Sequence, residues 1–132
     1  MPARLYAYLS YPDAPAALRW LEAVGFETVR RQDRAHGSVQ HAEMRLGEVV
    51  VMVMVASDDA PYAKPALVGR STGQGLHLLV DDVDGIHARA LAAGGTEVFA
   101  PEDTEWSTRR ARVLDPGGIE WSFGTYEPGA SW

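Results

Sequence analysis

The chain repeats itself once, and that repeat limits what it can fold into. Displaced by 69 residues, YLSYPDAPAALRWLEAVGFETV (residues 8–29) lies over HLLVDDVDGIHARALAAGGTEV (residues 77–98) without a gap. Asp13 then meets Asp82, Gly25 meets Gly94 and Val29 meets Val98. Identities are few. The apolar pattern, the acidic residue after the first strand and the glycine after the helix nevertheless recur at the same offsets, as they do in a duplicated supersecondary unit. With 132 residues, 46% of them hydrophobic, the chain can build one ordinary core. The expectation is a single domain over residues 1–132, with module one at about 4–56, a linker at 57–73 and module two at about 74–126.

Local signals place the elements. Residues 4–11 read as a strand stopped by Pro12, and Asp13 stands at an N-cap position with Pro15 in the first turn. Ala17, Leu18, Leu21 and Val24 recur at helical spacing and Gly25 closes a helix over 14–24. A strand at 26–31 follows, and the strands at 39–46 and 49–55 flank Gly47-Glu48 as a hairpin. The second module repeats this order. It has a strand at 75–80, then a helix opened by Asp82 or Asp84 with Ile86, Ala90 and Ala93 inward. A strand at 96–100, the loop PEDTEWS, and strands at 108–114 and 119–125 joined by Asp115-Pro116-Gly117-Gly118 complete it. The tail YEPGASW is expected to fray except where Tyr126 or Trp132 covers a surface. The fold class is therefore α+β, with two tandem βαβββ modules.

Composition narrows the function classes. The net charge is −6, with six Lys/Arg and six Asp/Glu in residues 1–56 but six and twelve in residues 57–132. This disfavours a nucleic-acid or anionic-membrane surface. It suits a solubilising surface and is compatible with a cationic ligand. No apolar run approaches the roughly 20 residues that span a bilayer, and a cytoplasmic protein is expected. Without cysteine there are no disulfides, thiolate metal sites or cysteine nucleophiles.

The pieces YPDAPAALRWLEAVGF, HLLVDDVDGIHARALAAGG and VLDPGGIEWSFGTY, in this order on a βαβββ duplication, resemble the glyoxalase/bleomycin-resistance/extradiol-dioxygenase superfamily, also called vicinal oxygen chelate. The resemblance implies that the modules form a curved, incompletely closed mixed sheet around a pocket and that the chain pairs as a homodimer. It also implies that metal ligands, where a member has them, come from the first and last strand of each module. Counting seven residues back from the acidic residue at the strand end gives Tyr6 and Gly75. Counting seven on from the turn aspartate gives Ser122, whose module-one counterpart falls near Met54. Tyr, Gly, Ser and Met are not the imidazole and carboxylate set that a divalent metal selects, so no metal and no cofactor is the expectation.

Strand alternation puts Tyr8, Met52, His77 and Glu120 on the same faces as those four. His77 and Glu120 are therefore the catalytic candidates of an alternative reading, a glyoxalase-like isomerase or lyase with or without a divalent metal. Arg110 and Arg112 share a strand face and either clamp an anion or pair with Glu102, Asp103 and Glu105. His41 and Glu43 share a face that is either pocket or solvated; His36 lies in a turn and His87 borders the core. Tyr6, Tyr8, Met52, Met54 and Trp106 suit a planar or hydrophobic ligand, whereas Trp121 and Phe123 should turn toward the helices. The preferred reading is a metal-free protein that binds or sequesters a small aromatic or cationic compound. Its candidate ligand-binding residues are Tyr6, Tyr8, Met52, Met54, His77, Arg110, Arg112, Glu120 and Ser122.

Overall fold

The structure, a computed structural model, describes residues 2–35, 39–55 and 66–130. His36, Trp132 and most of the expected linker lie outside the described residues. The chain divides into two compact units, residues 1–66 and 67–132. The first contains β1 (Ala7–Tyr11), α1 (Ala14–Val24), β2 (Glu27–Asp33), β3 (Val39–Leu46) and β4 (Val49–Val55). The second contains β5 (Gly75–Leu79), α2 (Val83–Ala92), β6 (Thr96–Asp103), β7 (Arg109–Leu114) and β8 (Glu120–Gly124). Each unit is a βαβββ module with one four-stranded mixed sheet, ordered β1-β4-β3-β2 and β5-β8-β7-β6. The first strand of each runs parallel to the last, and the other pairings are antiparallel.

The 69-residue offset survives down to single hydrogen bonds. Asp13 Oδ1 accepts from the Ala16 N–H at 3.1 Å, and Asp82 Oδ1 accepts from the Gly85 N–H at 3.0 Å. At the other helix ends the Phe26 N–H donates to the Leu21 carbonyl and the Gly95 N–H to the Ala90 carbonyl, both at 2.9 Å. These are the same cap and the same closing bond, made twice. The inward faces match as well: buried Ala14, Ala17, Leu18 and Leu21 correspond to buried Val83, Ile86, His87 and Ala90. Trp20, fully buried, breaks the symmetry, because its counterpart is Arg89. Each helix packs on one face of its own sheet and so leaves the opposite face for other work.

Three boundaries differ from the sequence reading by two residues or more, each for a pairing reason. β1 starts at Ala7, where its parallel register with β4 begins, so Tyr6 precedes the strand. β2 continues to Asp33 because its ladder with β3 carries on through two irregularities. β6 continues to Asp103 through Pro101, which a ladder interior would reject. Here β6 is an edge strand, and its register shift between Phe99 and Glu102 accommodates the proline. The segment 67–73, expected as linker, belongs to the second module. Val68 bridges Ser71, and the Thr72 N–H donates to the Gly118 carbonyl at 2.9 Å.

The β7–β8 turn is fastened by Asp115, a carboxylate only 4% exposed. Its Oδ1 accepts from the N–H groups of Gly117 and Ile119, at 2.9 and 3.0 Å, and its Oδ2 accepts from the indole N–H of Trp121 at 3.0 Å. Gly118, at φ +87°, closes the turn where a Cβ would collide with the Arg70 carbonyl oxygen. Replacing Asp115 by Ala strands three donors, two of them in the turn and one in the core. We expect Asp115→Ala to lower unfolding free energy by about 3 kcal/mol in urea denaturation. A loss below roughly 1 kcal/mol would show that the turn holds without its carboxylate.

Candidate functional site

Strand alternation sorts the second sheet cleanly. Leu78, Ala111, Val113, Trp121 and Phe123 are buried, and α2 packs on β6, β7 and β8. His77, Arg110, Arg112, Glu120 and Ser122 share the other face, as expected from their spacing. Ser122 is the register partner of both His77 on β5 and Arg112 on β7, so these three side chains stand in one row across the sheet. Gly124 follows on β8. A Cβ there would lie 3.2 Å from His77 Cε1, so the missing side chain is the space that the imidazole occupies.

Two cavities open on this face. One, of about 680 Å³, is lined by residues from β7 and β8, by the loop 104–108 and by the tail from Tyr126 to Ala130. The other, of about 530 Å³, adds Gly73, Gly75, Glu120 and Pro128. His77, Arg112, Ser122 and Tyr126 line both. Either volume falls in the range of small-molecule sites. The loop is rigidly tied. The Thr104 hydroxyl receives the N–H groups of Trp106 and Thr108 at 3.2 and 3.3 Å, and it lies 2.7 Å from the Thr108 hydroxyl. Ser107 adopts φ +65°, a cost of order 1 kcal/mol or more for a residue with a Cβ. The outcome is Trp106 held at the cavity wall with 61% of its surface exposed.

The wiring of the polar groups decides between the alternatives that the sequence left open, and Arg109 and Arg110 take acidic partners from the set 102–105. His77 and Glu120 do not form a pair. His77 Nε2 lies 2.8 Å from the Tyr126 carbonyl and Nδ1 lies 3.1 Å from Ser122 Oγ, which commits both ring nitrogens. Glu120 instead accepts from the Ser71 hydroxyl at 2.6 Å and stands 3.7 Å from Arg112. Ser71 comes from the segment that the sequence assigned to the linker, so this competitor for Glu120 was invisible along the strand pattern. Arg110 donates from Nε to Glu102 at 2.9 Å. Its guanidinium and that of Arg112 lie 5.2 and 5.5 Å from the Phe99 ring centre, within cation–π range. Arg109 is spent on structure: it binds Asp84 through two nitrogens at 2.8 Å and Asp103 at 2.9 Å. Those bonds hold the Asp84 carboxyl below its ordinary range and raise the Arg109 guanidinium further still.

The first module presents a separate face. Tyr8, 71% exposed, is the register partner of Met52, which is in turn the partner of Glu43 on β3. His41 and Glu43, left open between pocket and solvent, therefore share the face of Tyr8 and Met52, opposite buried Leu9, Ala42, Met44 and Val53. Tyr6 is half-exposed and Met54 lies beside Val55 at the end of β4. Register also corrects one correspondence. His77, the counterpart of Tyr8, pairs with Ser122, and Tyr8 pairs with Met52, so Met52 rather than Met54 answers to Ser122.

Tyr6, Met52, Gly75 and Ser122 occupy the positions from which the resemblance draws ligands, and Gly75 has no side chain at all. Among the described residues no group of three His, Asp or Glu side chains converges. His87 is buried with its Nε2 3.1 Å from Glu97, in contact but outside hydrogen-bond geometry, and it packs against the core as expected.

Tyr126, Thr104, Thr108 and Thr125 were absent from the sequence-derived candidates. Tyr126 carried a usable signal: Glu120, Ser122 and Gly124 alternate toward the cavity, and two further residues reach Tyr126. Thr104 and Thr108 carried none, since their placement depends on the closure of the loop, and Thr125 is placed by its bonds to Arg109 on β7.

Comparison with known proteins adds three findings. The family model described as Glyoxalase/Bleomycin resistance protein/Dioxygenase superfamily matches residues 5–123. The chain is 35% identical over 127 residues to the uncharacterized protein Mb0911c of Mycobacterium bovis, covering 91% of this chain and 81% of that one. Among solved structures, TioX from Micromonospora sp. ML1 is similar at 31% identity with a TM-score of 0.74, over 96% of this chain and 100% of that one. A bleomycin-binding protein complexed with bleomycin shares the fold at 20% identity and a TM-score of 0.65, over 96% and 100% of the two chains.

The His41–Glu43 contact is the cleanest titration probe on the first face. His41 Nε2 lies 2.8 Å from Glu43 Oε2. That hydrogen bond, with the charge of Arg30 helping and desolvation opposing, lowers the Glu43 carboxyl below its ordinary range. Folding thus binds the ionised form better. Its stabilising contribution is complete above the ordinary carboxylate range and is lost as pH falls through the lowered folded value. Carboxyl NMR should show Glu43 titrating below the ordinary glutamate range, and His41→Ala should move it back up. An unchanged midpoint in that variant would mean the hydrogen bond is not the cause.

Proposed function

The chain belongs to the glyoxalase/bleomycin resistance protein/dioxygenase superfamily, and from that premise we propose that it is a metal-free protein that binds and sequesters a small, planar aromatic or cationic compound. The observation that carries this reading is Trp106, held largely exposed on a tied loop at the wall of the 680 Å³ cavity, with Tyr126 also lining it. An exposed indole fixed in place provides a stacking surface whose ordering cost is already met by the fold. Arg110, Arg112, Glu105 and Glu127 supply charges of both signs around the lining. The alternative, an isomerase or lyase in which His77 and Glu120 act as a pair, is weakened because Glu120 is held by Ser71 and Arg112 and does not pair with His77. We also propose that the chain is a homodimer, an expectation taken from the family; a monomer mass in sedimentation at micromolar concentration would overturn it.

Two measurements test the ligand reading. Bleomycin, bound by the complexed relative, and ethidium, a planar aromatic cation, serve as probes in calorimetric titrations. Trp106→Ala should weaken whichever probe binds by about fivefold, corresponding to the roughly 1 kcal/mol of an aromatic stacking contact. Protein purified without chelators should contain no stoichiometric zinc, nickel, iron or manganese, and chelator treatment should leave binding unchanged. Metal near one per chain, or binding abolished by chelator, would overturn the metal-free reading.

A further inference from the structure

The bonding of His77 fixes where its proton sits. The Tyr126 carbonyl is an acceptor only, so the contact at 2.8 Å requires the hydrogen on Nε2. The neutral ring then carries its lone pair on Nδ1, and the group in front of that lone pair is the Ser122 hydroxyl, at 3.1 Å. Ser122 must therefore donate its O–H to His77, which leaves the oxygen lone pairs directed elsewhere. The residue lines both cavities and is half-buried. A hydroxyl bonded to an imidazole, with the imidazole's other nitrogen held by a third group, is the arrangement that activates serine as a nucleophile.

We propose that Ser122 and His77 form an acyl-transfer dyad, oriented by the Tyr126 carbonyl, that hydrolyses uncharged carboxylic esters of small aromatic alcohols. The Ser122 oxygen bonds to the acyl carbon as Nδ1 of His77 takes the serine proton. Collapse of the tetrahedral adduct breaks the bond to the leaving alcohol, which departs with the proton returned from Nδ1. Water then adds to the acyl-serine with the same base, releasing the carboxylic acid and restoring the Ser122 hydroxyl. Ser122 and His77 are the catalytic residues, and Tyr126 is a positioning residue acting through its main chain.

Three further features fit this chemistry. Arg112 is the register partner of Ser122 on the next strand and lines both cavities, so its guanidinium is the cationic group that could reach a developing oxyanion at Ser122. Its ion pair with Glu120 is loose at 3.7 Å, and a cation–π contact with Phe99 does not consume its N–H groups. The two cavities meet at Ser122, His77, Arg112 and Tyr126, which gives the acyl and alcohol portions separate places on either side of the nucleophile. Gly124 clears the space for the imidazole. A carbonyl carries less negative charge than the usual carboxylate partner, so the dyad is suited to activated esters rather than amides.

The test uses a fluorophosphonate probe and p-nitrophenyl acetate on the full chain. Wild-type protein should be phosphonylated at Ser122, identified by peptide mass, and should release a burst of nitrophenol with a matching acetyl adduct. Ser122→Ala, a one-atom deletion, should reduce labelling to background. His77→Gln should slow it by about a hundredfold or more, the usual contribution of a general base. Labelling of another residue, equal labelling of wild type and Ser122→Ala, or an unchanged rate in His77→Gln would overturn the proposal. Binding of bleomycin or ethidium by the wild-type chain, weakened in Trp106→Ala, reports separately on sequestration, since neither measurement depends on labelling of Ser122.

Discussion

The second module depends on a buried carboxylate. Asp115 gives up water and is repaid by three donors, two backbone amides in the turn and the indole of Trp121. The turn bonds set where β8 begins relative to β7, and the indole bond sets which way Trp121 faces. Together they lock the register of the last strand. A slip of one residue would turn Trp121 and Phe123 out and bring Glu120 and Ser122 into the core, so the position of every cavity-facing group on β8 follows from this anchor.

Duplication shows which constraints are strong. Helix caps, closing bonds and four inward positions recur in both modules, because each helix must cover its own sheet. The opposite sheet faces are under no such packing demand, and there the modules part. One carries Tyr8, Met52, His41 and Glu43; the other carries His77, Ser122, Arg112 and Glu120. The candidate site lies on a face that the fold leaves unspecified.

In the second module that chemistry is organised by hydrogen bonds from outside the sheet. Tyr126, beyond the end of β8, holds His77; Ser71, before β5, holds Glu120; a threonine-laced loop holds Trp106. Each tie reduces the motion of a group at the cavity wall and thereby preorganises it for a ligand. The same ties decide the protonation pattern, since a carbonyl and a hydroxyl on the two sides of one imidazole leave a single neutral tautomer.

The sequence by itself determined the modular plan. Period, caps and turn residues are local, so the helix at 14–24 and the strands at 39–46 and 49–55 fall at their expected bounds, and alternation sends Trp121 and Phe123 inward and His77, Arg110, Arg112, Glu120 and Ser122 to one shared face. Tertiary structure alone decided the partners. Alternation says which face a side chain takes but carries no information about segments that arrive from elsewhere, so the Ser71–Glu120 and His77–Tyr126 bonds stand where the alternative reading had His77 and Glu120 acting together. Strand register, likewise a pairing between distant segments, made Met52 rather than Met54 the counterpart of Ser122 and carried β6 through its proline. Local patterns fix what each residue can do; long-range pairing chooses which of those options meet.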